Sequence, residues 1–254
     1  MRKRKYLVGA LLSVVGALVV SGTASAAVTG QSYSVTTSPA KQQKKVFGPV
    51  GSFKNVVDTN YSGGFSPFGT QTVLTFSKDI KFTPGNIPQC NLSSINTVPQ
   101  SSADAQCGRS KVGTGSATIN GGLLTGVVAA YNGQPSGGSP TIGLHTDVFL
   151  PSGAYSFSTT LTGVLNTHSN TLTVDIPPTG TAITHFETTI TKKKSGKKKV
   201  KVHGKKKKRP IYYVMARCKK KKWVNSETTT FSDGSTQSAS TVQKCKQKKS
   251  KKKK

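Results

Sequence analysis

The chain has 254 residues and carries 37 Lys and Arg against 8 Asp and Glu, a formal net charge of +29 at pH 7. So basic a chain points to an anionic partner or to solubility and says nothing of fold. Its few, scattered acids offer no carboxylate pair for acid/base hydrolysis, and neither a G-x-S-x-G elbow nor a C-x-x-C metal spacing is present. The charge is unevenly divided. Residues 27–191 hold eight Lys/Arg against six Asp/Glu, a net of +2, whereas residues 192–254 hold 25 against two, a net of +23.

In chain order, Arg2-Lys3-Arg4-Lys5 precedes an apolar run from Tyr6 to Val20 and then Ala24-Ser25-Ala26. This is the pattern of a signal peptide spanning 1–26, and the run is short of the roughly 20 residues that a spanning helix needs. An exported chain with four cysteines reads as two disulfides. Cys90, Cys107, Cys218 and Cys245 allow three pairings. The sequential one, Cys90 with Cys107 and Cys218 with Cys245, is preferred because each pair brackets a compact segment.

Strand signals dominate the rest. Ser32–Thr37, Thr70–Phe76 and Lys111–Ile119 are rich in β-branched residues, with Ile80–Phe82 extending the second. The segment 88–110 reads as a polar loop held by its cysteines, with one helical turn over Ser101–Ala105 capped by Ser102. Asn120-Gly121 marks a hairpin turn, answered by Leu123–Tyr131, and Asn132–Pro140 is a loop. Further strands are expected at Ile142–Leu150, Ala154–Leu165, Thr171–Ile176, Thr181–Thr191, Ile211–Cys218, Trp223–Phe231 and Ser235–Val242, the last two flanking the turn Asp233-Gly234. Short, evenly spaced strands specify a sandwich or a barrel. The expectation is an all-β fold: a single antiparallel β-sandwich of about ten short strands over 27–246, with a polylysine tail, 247–254, too charged to order itself.

The segment from Lys192 to Arg209 is expected to be a lysine-rich loop inserted between two of these strands. Twelve of its eighteen residues are basic: Lys192, Lys193, Lys194, Lys197, Lys198, Lys199, Lys201, Lys205, Lys206, Lys207, Lys208 and Arg209. Lys219, Lys220, Lys221 and Lys222 follow after the third cysteine. After residue 26 the chain has thirty Lys and only three Arg. Lys is a hydrated point charge, whereas Arg offers the planar fork that reads phosphates and base edges. These lysines are therefore read as a non-specific, salt-sensitive contact for a polyanion: an anionic cell-wall polymer or lipid headgroups first. Nucleic acid, also bound non-specifically, comes second, because the block holds no stacking aromatic.

Several stretches resemble a group of exported proteins from high-GC Gram-positive bacteria with no assigned activity. They are Cys90 through Cys107-Gly108, Lys111-Val112-Gly113-Thr114-Gly115, Ile183-Thr184-His185-Phe186-Glu187, and Ala216-Arg217-Cys218 … Trp223 … Phe231-Ser232-Asp233-Gly234-Ser235 … Cys245. The resemblance implies export and a β-scaffold, and it lends no catalytic residue.

One metal arrangement can be drawn. His145-Thr146-Asp147 puts an imidazole and a carboxylate on one strand face, and His185 or His203 would complete a two-His-one-carboxylate site. H-x-D is a frequent accident, and His185 with Glu187 reads as a surface pair. The reading is of an exported, non-enzymatic surface or envelope protein that needs no cofactor and is held to anionic polymers by its lysines. The alternatives are a carbohydrate- or protein-binding module using loops of the neutral body and, third, a secreted metal-dependent enzyme.

Overall fold

The computed structural model describes residues 26–178, 180–202 and 205–248, with the backbone alone at 200–202 and 205–207. Eleven strands form one antiparallel sheet. They are β1 (Ala27–Ser38), β4 (Ser52–Ser62), β5 (Gly69–Thr75), β7 (Lys111–Ile119), β8 (Leu124–Ser136), β9 (Ser139–Phe149), β10 (Tyr155–Asn166), β11 (Thr171–Asp175), β12 (Ile183–Thr191), β16 (Lys222–Phe231) and β17 (Thr236–Lys244). The spatial order is β1-β4-β12-β7-β8-β9-β10-β11-β5-β16-β17. Smaller pairings join β3 (Gly48–Pro49) and β6 (Ile80–Phe82) to β15 (Val214–Ala216), β2 (Lys41–Gln42) to β18 (Lys246–Gln247), and β13 (Lys194–Val202) to β14 (Lys205–Tyr212).

Of the two forms that the strand spacing allows, the sheet takes the barrel-like one. It is continuous and its ends meet, in place of two stacked sheets. No ladder joins β1 to β17. Instead the Gln243 side chain brackets the Thr37 backbone, accepting its N–H at 2.7 Å and donating to its carbonyl at 3.0 Å. Farther along the seam, Gln31 Nε2 donates to Glu227 Oε1 at 3.1 Å and to Thr229 Oγ1 at 3.0 Å. The Gln243 amide thus stands in for strand pairing at Thr37, and Gln31 ties β1 to β16 by side chains alone.

The register gives the barrel two poles. Ser38, Ser52 and Lys222 lie at one, Ala27, Ser62 and Phe231 at the other. The first pole is plugged. The three-stranded sheet β3-β15-β6 is formed by the segments entering and leaving that end, and beneath it Phe53 meets Phe76 and Phe82 edge-on, at 5.5 and 5.4 Å between centroids, while Phe76 and Phe82 are tilted at 4.9 Å. Trp223 is fully buried there, and its indole donates to the Arg217 carbonyl at 2.7 Å. Both expected disulfides are present, Cys90–Cys107 and Cys218–Cys245. The second staples the start of β16 to the end of β17.

Cys90–Cys107 holds the excursion between β6 and β7 against the outer face of the sheet, where Ile95 and Ala103 pack on Ala129 and Tyr131. The expected helical turn is a two-turn helix, α1 (Gln100–Cys107), and Pro99, not Ser102, precedes it. The cap comes from the sheet: both carboxylate oxygens of Asp147 accept the Gln100 N–H, at 3.0 and 2.8 Å. An anion at that position also meets the positive end of the helix dipole.

Three other expectations need revision, and one strand is unanticipated. The strand Ser52–Ser62 is not expected from the sequence, because its inner face carries Asn55 and Thr59 among Phe53 and Val57 and breaks the apolar alternation. The loop placed at Asn132–Pro140 is mostly strand, and the chain turns only at Gly137-Gly138. The lysine-rich segment expected as a loop is a two-stranded ribbon. Gln247, assigned to the tail, belongs to the body, where its side chain donates to the carbonyls of Cys218 and Lys219. The remainder of the tail, 249–254, and the signal segment up to residue 25 lie outside the described residues. Among the described residues, no helix is long and apolar enough to cross a membrane.

Candidate polyanion-binding site

The lysine ribbon leaves the barrel at its plugged pole, directly after β12. Its base is fixed by close backbone packing. The Asn86 N–H donates to the Ser195 carbonyl at 2.7 Å, the Tyr213 N–H to the Lys193 carbonyl at 2.8 Å, and the Thr83 N–H to the Tyr213 carbonyl at 2.7 Å. Gly85 permits this approach: it has φ +53, and a Cβ there would lie 2.3 Å from the Ser195 oxygen. Tyr213, buried in the plug, anchors the ribbon's exit, and Lys192 lies 5.1 Å over the ring of half-buried Tyr212. With Tyr213 and Trp223 in the core, neither offers a stacking face to a nucleic-acid base.

Within the ribbon like charges oppose one another. Lys198 pairs with Arg209, Lys199 with Lys208, and Lys201 with Lys206. Like charges directly across an antiparallel pair are destabilising. Alternation puts Lys197 and Lys199 on one face beside Lys208. With Lys194, Gly196 and Asn86 these three line an open hollow of about 390 Å³. Asn86 is the one member of this site that no charge pattern in the sequence marks.

Nothing acidic offsets the ribbon, because the chain's eight carboxylates are all engaged in the body. Asp58 contacts His185 at 2.6 Å, Asp79 Arg217 at 2.8 Å, Asp104 Lys111 at 2.9 Å and Glu187 Lys54 at 2.7 Å. Asp147 caps α1, Asp175 accepts from Gln71, Asp233 accepts the Ser235 N–H in its turn, and Glu227 is buried inside the barrel. Among the described residues, no lysine of the ribbon has an anionic partner.

Other cations crowd the same pole. Lys219 to Lys222 form the turn that enters β16, with Lys221 at φ +59, and the Lys219 N–H is held by Asp79 at 2.9 Å. Lys222 pairs with Lys244 and Lys246 with Lys41 across adjacent strands. The ribbon, the 219–222 turn and the start of the tail, three separate stretches of the chain, therefore make one cationic pole. Side chains at 201 and 205–207 are outside the description, as is His203.

The histidines are not brought together. His145 and Asp147 do share a face of β9, with Nε2 3.3 Å from Oδ1, but the pair is buried under the disulfide-bound excursion. His185 is on β12, three strands away in the sheet order, or roughly 14 Å at the usual strand spacing. Among the described residues, no group of three His, Cys, Asp or Glu could hold a metal ion. Burial depresses the His145 pKa despite the neighbouring Asp147. Ser158 donates to Asp147 at 2.7 Å, so its hydroxyl faces a carboxylate and not the imidazole. Close by, burial alone would raise the Asp104 pKa. Hydrogen bonds from Tyr131 and Lys111 outweigh it and hold the carboxyl below its ordinary value. Both acids tie the excursion down: Asp147 caps its helix, and Asp104 on that helix binds β7 and β8.

Compared with models of known protein families, with curated proteins and with solved structures, the chain matches none.

Proposed function

We propose that the protein is an exported, non-enzymatic envelope component, and that its cationic pole attaches it to an anionic polymer or lipid-headgroup surface by non-specific electrostatics. The observation that carries this reading is the ribbon itself: opposed like charges, a four-lysine hollow, and no acid to neutralise either. A polyanion laid along it would relieve the cross-strand repulsion, so binding and ribbon stability are coupled. Lysine in place of arginine favours attraction without sequence or shape readout. The two disulfides suit an oxidising compartment, in keeping with export.

The test is binding of the purified protein to polyphosphate across a salt series. Affinity should fall linearly on a log–log plot with a slope of several released ions, and changing Lys194, Lys197, Lys198, Lys199 and Lys208 to Gln should flatten it by about the number of charges removed. A slope near zero, or one unmoved by the substitutions, would remove the ribbon from the attachment.

A further inference from the structure

The pole opposite the lysines has a different surface. Of nine large hydrophobic side chains exposed among the described residues, five lie there: Phe65, Leu123, Leu150, Tyr155 and Phe157. Phe65 rests on the Asn120-Gly121 turn and meets Tyr61 edge-on at 6.0 Å. Inside this rim the barrel is not filled. A cavity of about 80 Å³, open at one side, has walls that include Leu144, Leu161, Ile176, Phe186 and Phe231. A second chamber of about 50 Å³, reaching Phe157 of the rim, shares Leu161, Ile176 and Phe186 with it.

The lining is mostly apolar, with a polar strip on one side. Gln31, Thr59, Thr72 and Thr229 line the first cavity, and Thr72 and Thr229 share a 2.7 Å hydrogen bond. Glu227 follows one pleat deeper on the same face of β16, wholly buried, with Oε1 accepting from Gln31 and Thr229. Glu227 Oε2 and Gln31 Oε1 are also buried, and neither has a hydrogen-bond partner among the described residues. A buried acceptor left unpaired is costly, more so when charged, so these oxygens favour an incoming donor.

The geometry points to a ligand site at this open pole for one slender amphiphile: a linear hydrocarbon chain ending in an amine or an alcohol. The donor end meets the free oxygens of Glu227 and Gln31, the first carbons fill the cavity, and the chain runs out between the rim side chains. From Glu227 to Phe231 the strand advances four residues, roughly 13 Å, the reach of about eight to ten carbons. A carboxylate-headed chain of the same length would bring a second anion against Glu227 and is disfavoured. The site is independent of the polyanion reading, being at the other end of the molecule and free of lysine.

The test uses the folded protein with the neutral fluorophore N-phenyl-1-naphthylamine, in about 0.5 M salt to screen the lysines. Octylamine, octanol and octanoate are compared as competitors. The expected result is that the fluorophore binds, and that octylamine and octanol displace it roughly tenfold or more better than octanoate, the scale of a hydrogen bond to a buried charge. Glu227→Gln should bring octylamine and octanoate together while leaving octanol within a few-fold. Val57→Phe, which narrows the cavity from its wall, should weaken all three. No fluorophore binding by the native protein, or displacement by octanoate as effective as by octylamine, would overturn the proposal.

Discussion

Glu227 is the residue whose surroundings most constrain the chain's behaviour with pH. Burial pushes its carboxyl up to about 6 from an ordinary 4.5, and the hydrogen bonds from Thr229 and Gln31 only partly oppose this. The folded state therefore holds the proton more tightly than the unfolded state does. Between those two values the native protein binds more protons, so stability falls as pH rises through the window and levels off above it. A shift of this size corresponds to about 2 kcal/mol, the cost of keeping the charged form inside the barrel. Glu227→Gln should be the more stable protein at neutral pH, by about 1–2 kcal/mol, and should lose the pH dependence between 4.5 and 6 in urea unfolding. Equal stability at neutral pH, with the same pH profile, would mean that the carboxylate is hydrated or paired in solution. Tyr33 carries the mark of the same environment. Its hydroxyl is driven above its ordinary range, first by burial and then by Glu227, and donates to Asn55 at 3.1 Å.

At the scale of elements, the seam between β1 and β17 is the least conventional join. Gln243 satisfies both backbone groups of Thr37, as a neighbouring strand would. Gln243→Leu leaves an N–H and a carbonyl unmatched and should cost about 1–3 kcal/mol. Hydrogen exchange should quicken at Thr37 and spread along β1, while β8 and β9 stay protected. Unchanged exchange at Thr37 would show that the barrel closes without this side chain. Such closure could not be read from sequence, since a glutamine at the end of a strand has no signature that separates it from a solvated one. Other elements were legible for plain reasons. Asn120-Gly121 and Asp233-Gly234 announce the turns joining β7 to β8 and β16 to β17, and they mark the strands on either side. β4 was hidden because Asn55 and Thr59 take the place of apolar residues inside. The ribbon was hidden for the opposite reason: a run of like charges reads as solvated chain, and only its docking through Gly85, Ser195 and Tyr213 fixes the base from which it pairs.

Across the whole molecule, one barrel separates two surfaces of opposite character. Three separate cationic segments collect at the plugged pole because their neighbouring strands all begin or end there: β12 feeds the ribbon, β16 begins at Lys222, and β17 ends at Lys244. The charge run was plain in the sequence, but its gathering at one pole depends on sheet order and could not be. Plugging one pole with aromatic side chains and bracing it with Cys218–Cys245 gives the lysines a rigid base, and the other pole keeps a cavity and an apolar rim. A molecule held by its cationic pole would turn that rim away from the anionic surface.

The most direct measurement is salt extraction from intact producing cells, comparing the native protein with a variant in which the ribbon lysines and Lys219 to Lys222 are Gln. The native protein should stay with the envelope at low salt and be released between roughly 0.3 and 1 M, where the screening length falls to a few ångströms, while the variant is found in the medium throughout. If both fractionate alike at every salt concentration, the lysines are not the attachment device, and the cationic pole has no part in where the protein resides.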